Sequence, residues 1–275
     1  MTSKLRKIFN CALRIQDTRW SSKSRFLISR VMLAFFNGGK RGVMGNWTSV
    51  VSDGSDMKIY FNKPEGEHAL PAVLVMFHRT GMDQFTLDQV DALASEGFLA
   101  AAPDFYHRHA ELAGDAPADF RNDNEFISDI EASLGYFRTR GDVDMKRIGI
   151  LGHCMGGRTS FFGASVFPEQ FKLCVVNYGG GMFSAWGEGP TAFDRLDDLT
   201  CPVLGHFGGL DKSPSPNDVK KFDEKLKKNG VEHTFYEYAD ANHAFQDPNN
   251  KKGNFHPEAT KLAWSRTIKF LNERL

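Results

Sequence analysis

The spacing of apolar positions changes repeatedly along the chain, and the changes mark strands and helices in alternation. Trp47–Val51 and Lys58–Asn62 read as two short strands joined by the turn Ser52-Asp53-Gly54. Ala72–Phe77 is a continuous apolar run, as a strand buried on both faces requires. Leu87–Glu96 carries Val90, Leu93 and Ala94 at helical spacing and ends at Gly97; Phe98–Ala102 is the next strand. Phe126, Ile127, Ile130, Leu134 and Phe137 form the apolar stripe of a helix over 122–140. Arg147–Leu151 is a strand, and a helix starts after Cys154. Phe171–Tyr178, Pro202–Phe207 and His233–Tyr238 are further strands. Val219, Phe222 and Leu226 mark a helix before the last of these. Trp264, Ile268, Leu271 and Leu275 mark a C-terminal helix that begins near Pro257.

This alternation predicts an α/β fold, a mostly parallel central sheet with helices on both faces, led in by two antiparallel strands. No repeat, linker or second domain interrupts residues 46–275. The longest irregular stretches, Tyr106–Asp119 and Gly179–Leu199, both follow strand ends, where open α/β sheets bind ligands.

Composition changes this picture at one place. The chain has 275 residues, 25% of them charged, and no formal net charge, which argues against nucleic acid as a partner. Yet residues 1–45 hold ten Lys or Arg and one acid, Asp17, so this segment carries +9 and the remainder −9. The segment reads as a basic N-terminal extension, either a helical arm packed on the domain or a targeting segment. No apolar run is long enough to span a bilayer. Cys11, Cys154, Cys174 and Cys201 show neither metal-ligand spacing nor a disulfide framework, so a cytoplasmic or other reducing compartment is expected. An organellar location is the alternative if residues 1–45 are a targeting segment.

The sharpest chemical signal is Ile148-Gly-Ile-Leu-Gly-His-Cys154-Met-Gly-Gly157, a strand, a Gly-x-Cys-x-Gly turn and a helix. This is the arrangement of a nucleophile elbow with sulfur in place of oxygen. A tight turn lifts Cys154 above the sheet. Glycines two residues to either side remove side chains that would clash, and the helix N-terminus favours the thiolate. The chain order nucleophile, acid, histidine is completed by Asp211, at the end of Val203-Leu-Gly-His-Phe-Gly-Gly-Leu-Asp211, and by His243, in the loop after strand 233–238. His206 is a rival histidine, but it lies within a strand. Two backbone N–H groups, those of Met155 and Arg79, are the expected oxyanion hole.

Residues 46–275 resemble the dienelactone hydrolase family of the α/β-hydrolase superfamily. The resemblance rests on Gly152-His-Cys-Met-Gly-Gly157, Pro103-Asp-Phe-Tyr106 with Arg108, Gly208-Gly-Leu-Asp211 and His243-Ala-Phe245. It implies hydrolysis of a small carboxylic ester or lactone through an acyl-cysteine, with no cofactor and no metal. It also implies an arginine grip on a substrate carboxylate, for which Arg108 is the match; a solvated loop arginine is the other reading of that residue.

Two positions depart from the family pattern. His78 stands where the well-studied members have a glutamate that holds the resting thiol. Asp247 falls near the place of a second substrate arginine. His78 is either an ion-pair partner of Cys154 or a structural strand-end histidine. The alternate histidines His107 and His109 lack a third ligand and make a weak metal signal. Substrate-binding candidates are His78, Tyr106, Arg108, Tyr178 and Phe245, with Met182 and Phe183 from the second irregular stretch. A thioesterase or acyltransferase on the same triad, and a non-catalytic ligand-binding protein of this fold, are the competing readings.

Overall fold

The computed structural model describes residues 44–66, 69–112 and 119–275. The expectation for residues 1–45 falls outside these, apart from Met44 and Gly45. Eight strands form one sheet: β1 (Asn46–Ser52), β2 (Ser55–Asn62), β3 (Leu70–Met76), β4 (Leu99–Pro103), β5 (Val143–His153), β6 (Leu173–Asn177), β7 (Val203–Gly208) and β8 (His233–Tyr238). The helices are α1 (Gln84–Ser95), α2 (Asp123–Thr139), α3 (Met155–Val166), the single turn α4 (Ala192–Arg195), α5 (Pro216–Lys228) and α6 (Pro257–Arg274).

The strand order is β1-β2-β4-β3-β5-β6-β7-β8. β1 and β2 are antiparallel to their neighbours, and every pairing from β4 through β8 is parallel. β3 shows why a two-faced core needs a continuous apolar run. Ala72, Leu74 and Met76 pack on one side with Phe126 and Ile130 of α2, Phe161 of α3 and Phe222 of α5. Val73 and Val75 pack on the other with Val90 and Leu93 of α1 and Phe270 and Leu271 of α6. The fold is the α/β-hydrolase arrangement expected from the sequence.

From β3 the chain steps outward to β4, then returns to the opposite side of β3 as β5. This reversal opens a crevice at the carboxyl ends of β3 and β5, the place where such sheets hold ligands. α1 begins three residues earlier than the periodicity indicates because the Asp83 side chain caps it, accepting from Thr86 N. The sequence reading also passed over the short turns at His107–His109 and at Ala192–Asp198. Among the described residues no helix is long and apolar enough to cross a membrane.

Candidate active site

Cys154 stands between β5 and α3 with φ 55° and ψ −116°, a strained conformation for a residue with a side chain. Its backbone N–H donates to the Asn177 carbonyl at 2.9 Å, which ties the turn to the end of β6. The two flanking glycines are required by contact. A Cβ on Gly152 would lie 2.1 Å from the Gly156 carbonyl oxygen, and one on Gly156 would lie 2.1 Å from the Met76 carbonyl oxygen. The first turn of α3 thus passes directly over the end of β3.

His243 and Asp211 reach the sulfur from the loops after β8 and β7. His243 Nε2 is 3.0 Å from Cys154 Sγ, and His243 Nδ1 is 2.7 Å from Asp211 Oδ2. Asp211 is buried, and its other oxygen accepts from Ser213 N at 2.8 Å. That leaves Nδ1 as the proton-bearing side of the ring and Nε2 facing sulfur. Burial alone would lower the His243 pKa, but its bonds to Asp211 and Cys154 outweigh burial and raise it to about 10. Burial works against the Cys154 thiolate; His243, His78 and the Met155 N–H outweigh it and bring the thiol pKa down. His206 is packed instead: it is fully buried, bonded to Thr267 and Tyr238, and burial drives its pKa down to about 3.

The remaining sequence candidates fall into two groups. Tyr178 and His78 lie within electrostatic reach of the sulfur, and Tyr106 packs on the two residues of the expected oxyanion hole. The Tyr106 hydroxyl donates to the Arg79 carbonyl at 2.9 Å and lies 3.4 Å from Met155 Sδ. The His78 carbonyl accepts from Gly81 N at 2.9 Å, which fixes the plane of the peptide that carries the Arg79 N–H; the Arg79 side chain reaches away to Asp119. Tyr178, at φ 41°, lies edge-on to His243 with ring centroids 5.3 Å apart. Its buried hydroxyl has no hydrogen-bond partner among the described residues.

Phe245, Met182, Phe183 and Arg108 belong to the second group. Phe245 and Met182 are wholly buried. Phe183 is exposed and packs on Phe193 and Phe222. Arg108, expected as a substrate grip, is already engaged by protein groups. Its guanidinium donates to Asp129 Oδ2 and Asp53 Oδ2, both at 2.9 Å, and to Ser52 and His107. With two carboxylates on it, this side chain pins the β1–β2 hairpin to α2.

Arg121 was missed by the sequence reading. Its guanidinium lies over the Trp186 ring at 4.4 Å, and no carboxylate is hydrogen-bonded to it among the described residues. Burial and the neighbouring Arg79 charge press its pKa down, while Tyr106 and Asp119 push the other way. Nothing in the local sequence singles it out, because its partner Trp186 is brought by a distant loop. Asp247 is buried, and burial raises its pKa against the opposing charge of His78.

The profile of the dienelactone hydrolase family matches residues 57–275. A Salmonella typhimurium protein named "Putative carboxymethylenebutenolidase" is 29% identical over 238 residues, which cover 81% of this chain and 85% of that one. A Bradyrhizobium protein named "Probable 2-oxo-3-(5-oxofuran-2-ylidene)propanoate lactonase" is 24% identical over 238 residues, 84% of this chain and 94% of that one. The crystal structure of a "Putative Dienelactone Hydrolase" from Klebsiella pneumoniae superposes with a TM-score of 0.74 at 28% identity, covering 83% of this chain and 98% of that chain. The strand order, the cysteine elbow at the sheet's switch point and these matches lead to one family: the chain belongs to the dienelactone hydrolases, within the α/β-hydrolase superfamily.

Proposed function

We propose that this protein hydrolyses small carboxylic esters or lactones through an acyl intermediate on Cys154. The observation that carries this reading is the unbroken contact series Asp211–His243–Cys154, at 2.7 and 3.0 Å, on a positive-φ elbow. His243 holds the thiol proton. The sulfur attacks the carbonyl carbon, and the C=O pair moves onto oxygen, where the N–H groups of Met155 and Arg79 receive it. Collapse breaks the C–O bond, and His243 returns the proton to the leaving oxygen; in a lactone that oxygen stays tethered to the product. Water then gives its proton to His243 and attacks the thioester, and the C–S bond breaks to free the acid and the sulfur. Only side chains, backbone and water take part.

Two features bear on the substrate. Tyr178, edge-on to His243, carries a buried hydroxyl with no hydrogen-bond partner among the described residues. Arg121, within electrostatic reach of Tyr106 and without a hydrogen-bonded carboxylate among the described residues, is a cation for an acidic group on the substrate.

The test is turnover of an activated short ester with intact-protein mass read in the steady state. Wild type acquires an acyl mass on Cys154, and Cys154→Ala, still folded, has neither the adduct nor turnover. Full turnover by Cys154→Ala refutes the proposal.

A further inference from the structure

The end of β3 carries a second imidazole–carboxylate pair that the triad leaves unused. β3 and β5 are parallel neighbours with Met76 opposite Gly152. Continuing that register two residues past its last pair sets His78 opposite Cys154, and each lies within the other's electrostatic reach. The crossing of α3 over Met76 and Phe77 keeps the two strand ends together.

His78 is buried, and its ring packs on Phe85 with centroids 5.2 Å apart. Its Nε2 lies 2.7 Å from Asp83 Oδ2 and 2.9 Å from Thr80 Oγ1. The Thr80 hydroxyl gives its own proton to Asp83 Oδ2 at 2.7 Å, so its oxygen can only accept from Nε2–H. One ring proton is therefore fixed at Nε2. Nδ1, where a second proton would make the ring cationic, has no hydrogen-bond partner among the described residues.

The groups around this ring come from four elements. Asp83 faces it from the cap of α1, Asp247 from the loop after His243, and the sulfur of Cys154 from the elbow. His153, the residue before Cys154, opposes a positive charge there, but its own burial drives its pKa down to about 3 and leaves it neutral. Burial disfavours the charged ring; Asp83, Asp247 and Cys154 together outweigh it.

We propose that His78, held by Asp83, is a second imidazolium set against the sulfur of Cys154, so that the thiolate exists before substrate arrives and does not depend on His243. The role is that of a counter-charge, and it rests on Cys154 being the nucleophile proposed above. His78 keeps its proton throughout. It stabilises sulfur as the attacking thiolate and again as the leaving group when the thioester breaks, while His243 alone moves protons. A glutamate at this strand end would do the reverse and favour the protonated thiol.

The test measures the pH dependence of Cys154 alkylation by iodoacetamide, an uncharged probe, by peptide mass, with Cys154→Ser setting the background from other cysteines. His243→Asn removes the triad base, and its Cys154 is expected to keep an alkylation midpoint below the ~8.5 of an ordinary thiol. Adding His78→Gln, whose amide can still meet Asp83, is expected to raise that midpoint by a unit or more, a ~10-fold loss of thiolate near neutral pH. Asp83→Asn, which leaves both histidines in place, is expected to shift it part of the way and serves if the double variant does not fold. Equal midpoints for His243→Asn and His243→Asn/His78→Gln overturn the proposal, as does a His243→Asn midpoint at or above that of an ordinary thiol. Ester turnover is not read here, so loss of the proposed hydrolysis and loss of the counter-charge are separate outcomes.

Discussion

Asp123→Asn tests whether the loop behind the site is held by one buried ion pair. Arg158, on the first turns of α3, is fully buried, and its guanidinium meets both Asp123 oxygens, at 2.6 and 2.8 Å. It also donates to the carbonyls of Gly181 and Ser184 and lies 3.6 Å above the Trp186 ring. Asp123 closes the same loop, since its N–H donates to the Trp186 carbonyl at 2.7 Å and its Oδ2 accepts from Trp186 N at 3.1 Å. The substitution keeps the shape and removes the negative charge, which leaves a buried guanidinium without its counter-ion. Breaking a pair of this kind costs ~3–5 kcal/mol, mostly from the stranded charge. At ~2–4 °C per kcal/mol for a domain of this size, melting should fall by ~6–20 °C. The assay is thermal unfolding by circular dichroism, with Asp123→Leu/Arg158→Met alongside. That double variant removes both charges and should recover most of the loss, because well-packed apolar replacements of a buried pair are close to neutral. A melting temperature for Asp123→Asn within ~2 °C of wild type would refute the reasoning. So would a double variant that loses as much as the two single ones combined.

Gly156→Ala puts a Cβ 2.1 Å from the Met76 carbonyl oxygen and 2.6 Å from that of Phe77, so the start of α3 must shift by ~1 Å. Such overpacking costs ~1–3 kcal/mol, and a displacement of that size is expected to lower ester turnover ~10²-fold, as read by kcat/KM beside a melting curve. Arg121→Gln is expected to raise KM ~10-fold or more for an ester bearing a free acid and to leave a neutral isostere unchanged, since a hydrogen bond between charged groups contributes ~1.5–3 kcal/mol; equal effects on both esters would remove Arg121 from the substrate site. The bond from Arg140 brings Asp142 down to about 2 against the opposing effect of its partial burial, with Lys63 adding to the lowering. A depressed carboxylate stabilises the fold above its unfolded value near 4 and loses that contribution as pH falls towards 2. Asp142→Asn should therefore be less stable than wild type at pH 6 by ~1 kcal/mol after solvent screening, with the gap closing as urea midpoints are taken towards pH 2.5.

The parts of this protein that could be read from its sequence are those where local pattern and three-dimensional role coincide. Ala72–Phe77 is apolar throughout because β3 faces two helical layers, and the glycines about Cys154 are where the backbones of β3, β5 and α3 touch. Cys154, Asp211 and His243 each follow a strand end, so chain order alone puts them at one edge of the sheet. Pairings across the chain leave no such local trace. Arg108 reads as an exposed loop cation until α2 brings Asp129 beneath it, and Arg158 reads as an ordinary helix arginine until it meets Asp123. Arg121 is intelligible only once Trp186 lies under it. The cap of α1 is an intermediate case: Asp83 is a residue type suited to start a helix, but its second role, holding His78 across the turn, is set by side-chain geometry.

His78 and Asp247 stand out in the sequence as two separate departures, and in the structure they are coupled. An imidazolium at the buried end of β3 would be costly unless nearby anions offset it. Asp83 bonds it directly, and Asp247 faces it from the loop that carries His243. Asp247, at the place where an acid would repel a substrate carboxylate, faces the proposed imidazolium instead, and the charge of His78 works against the burial that raises its pKa. An anion at position 247 suits a cation at the strand end, where an arginine would add to its positive charge. On the proposed reading, with Arg108 bound to Asp129 and Asp53, an acidic substrate would be met by Arg121, which lies on Trp186.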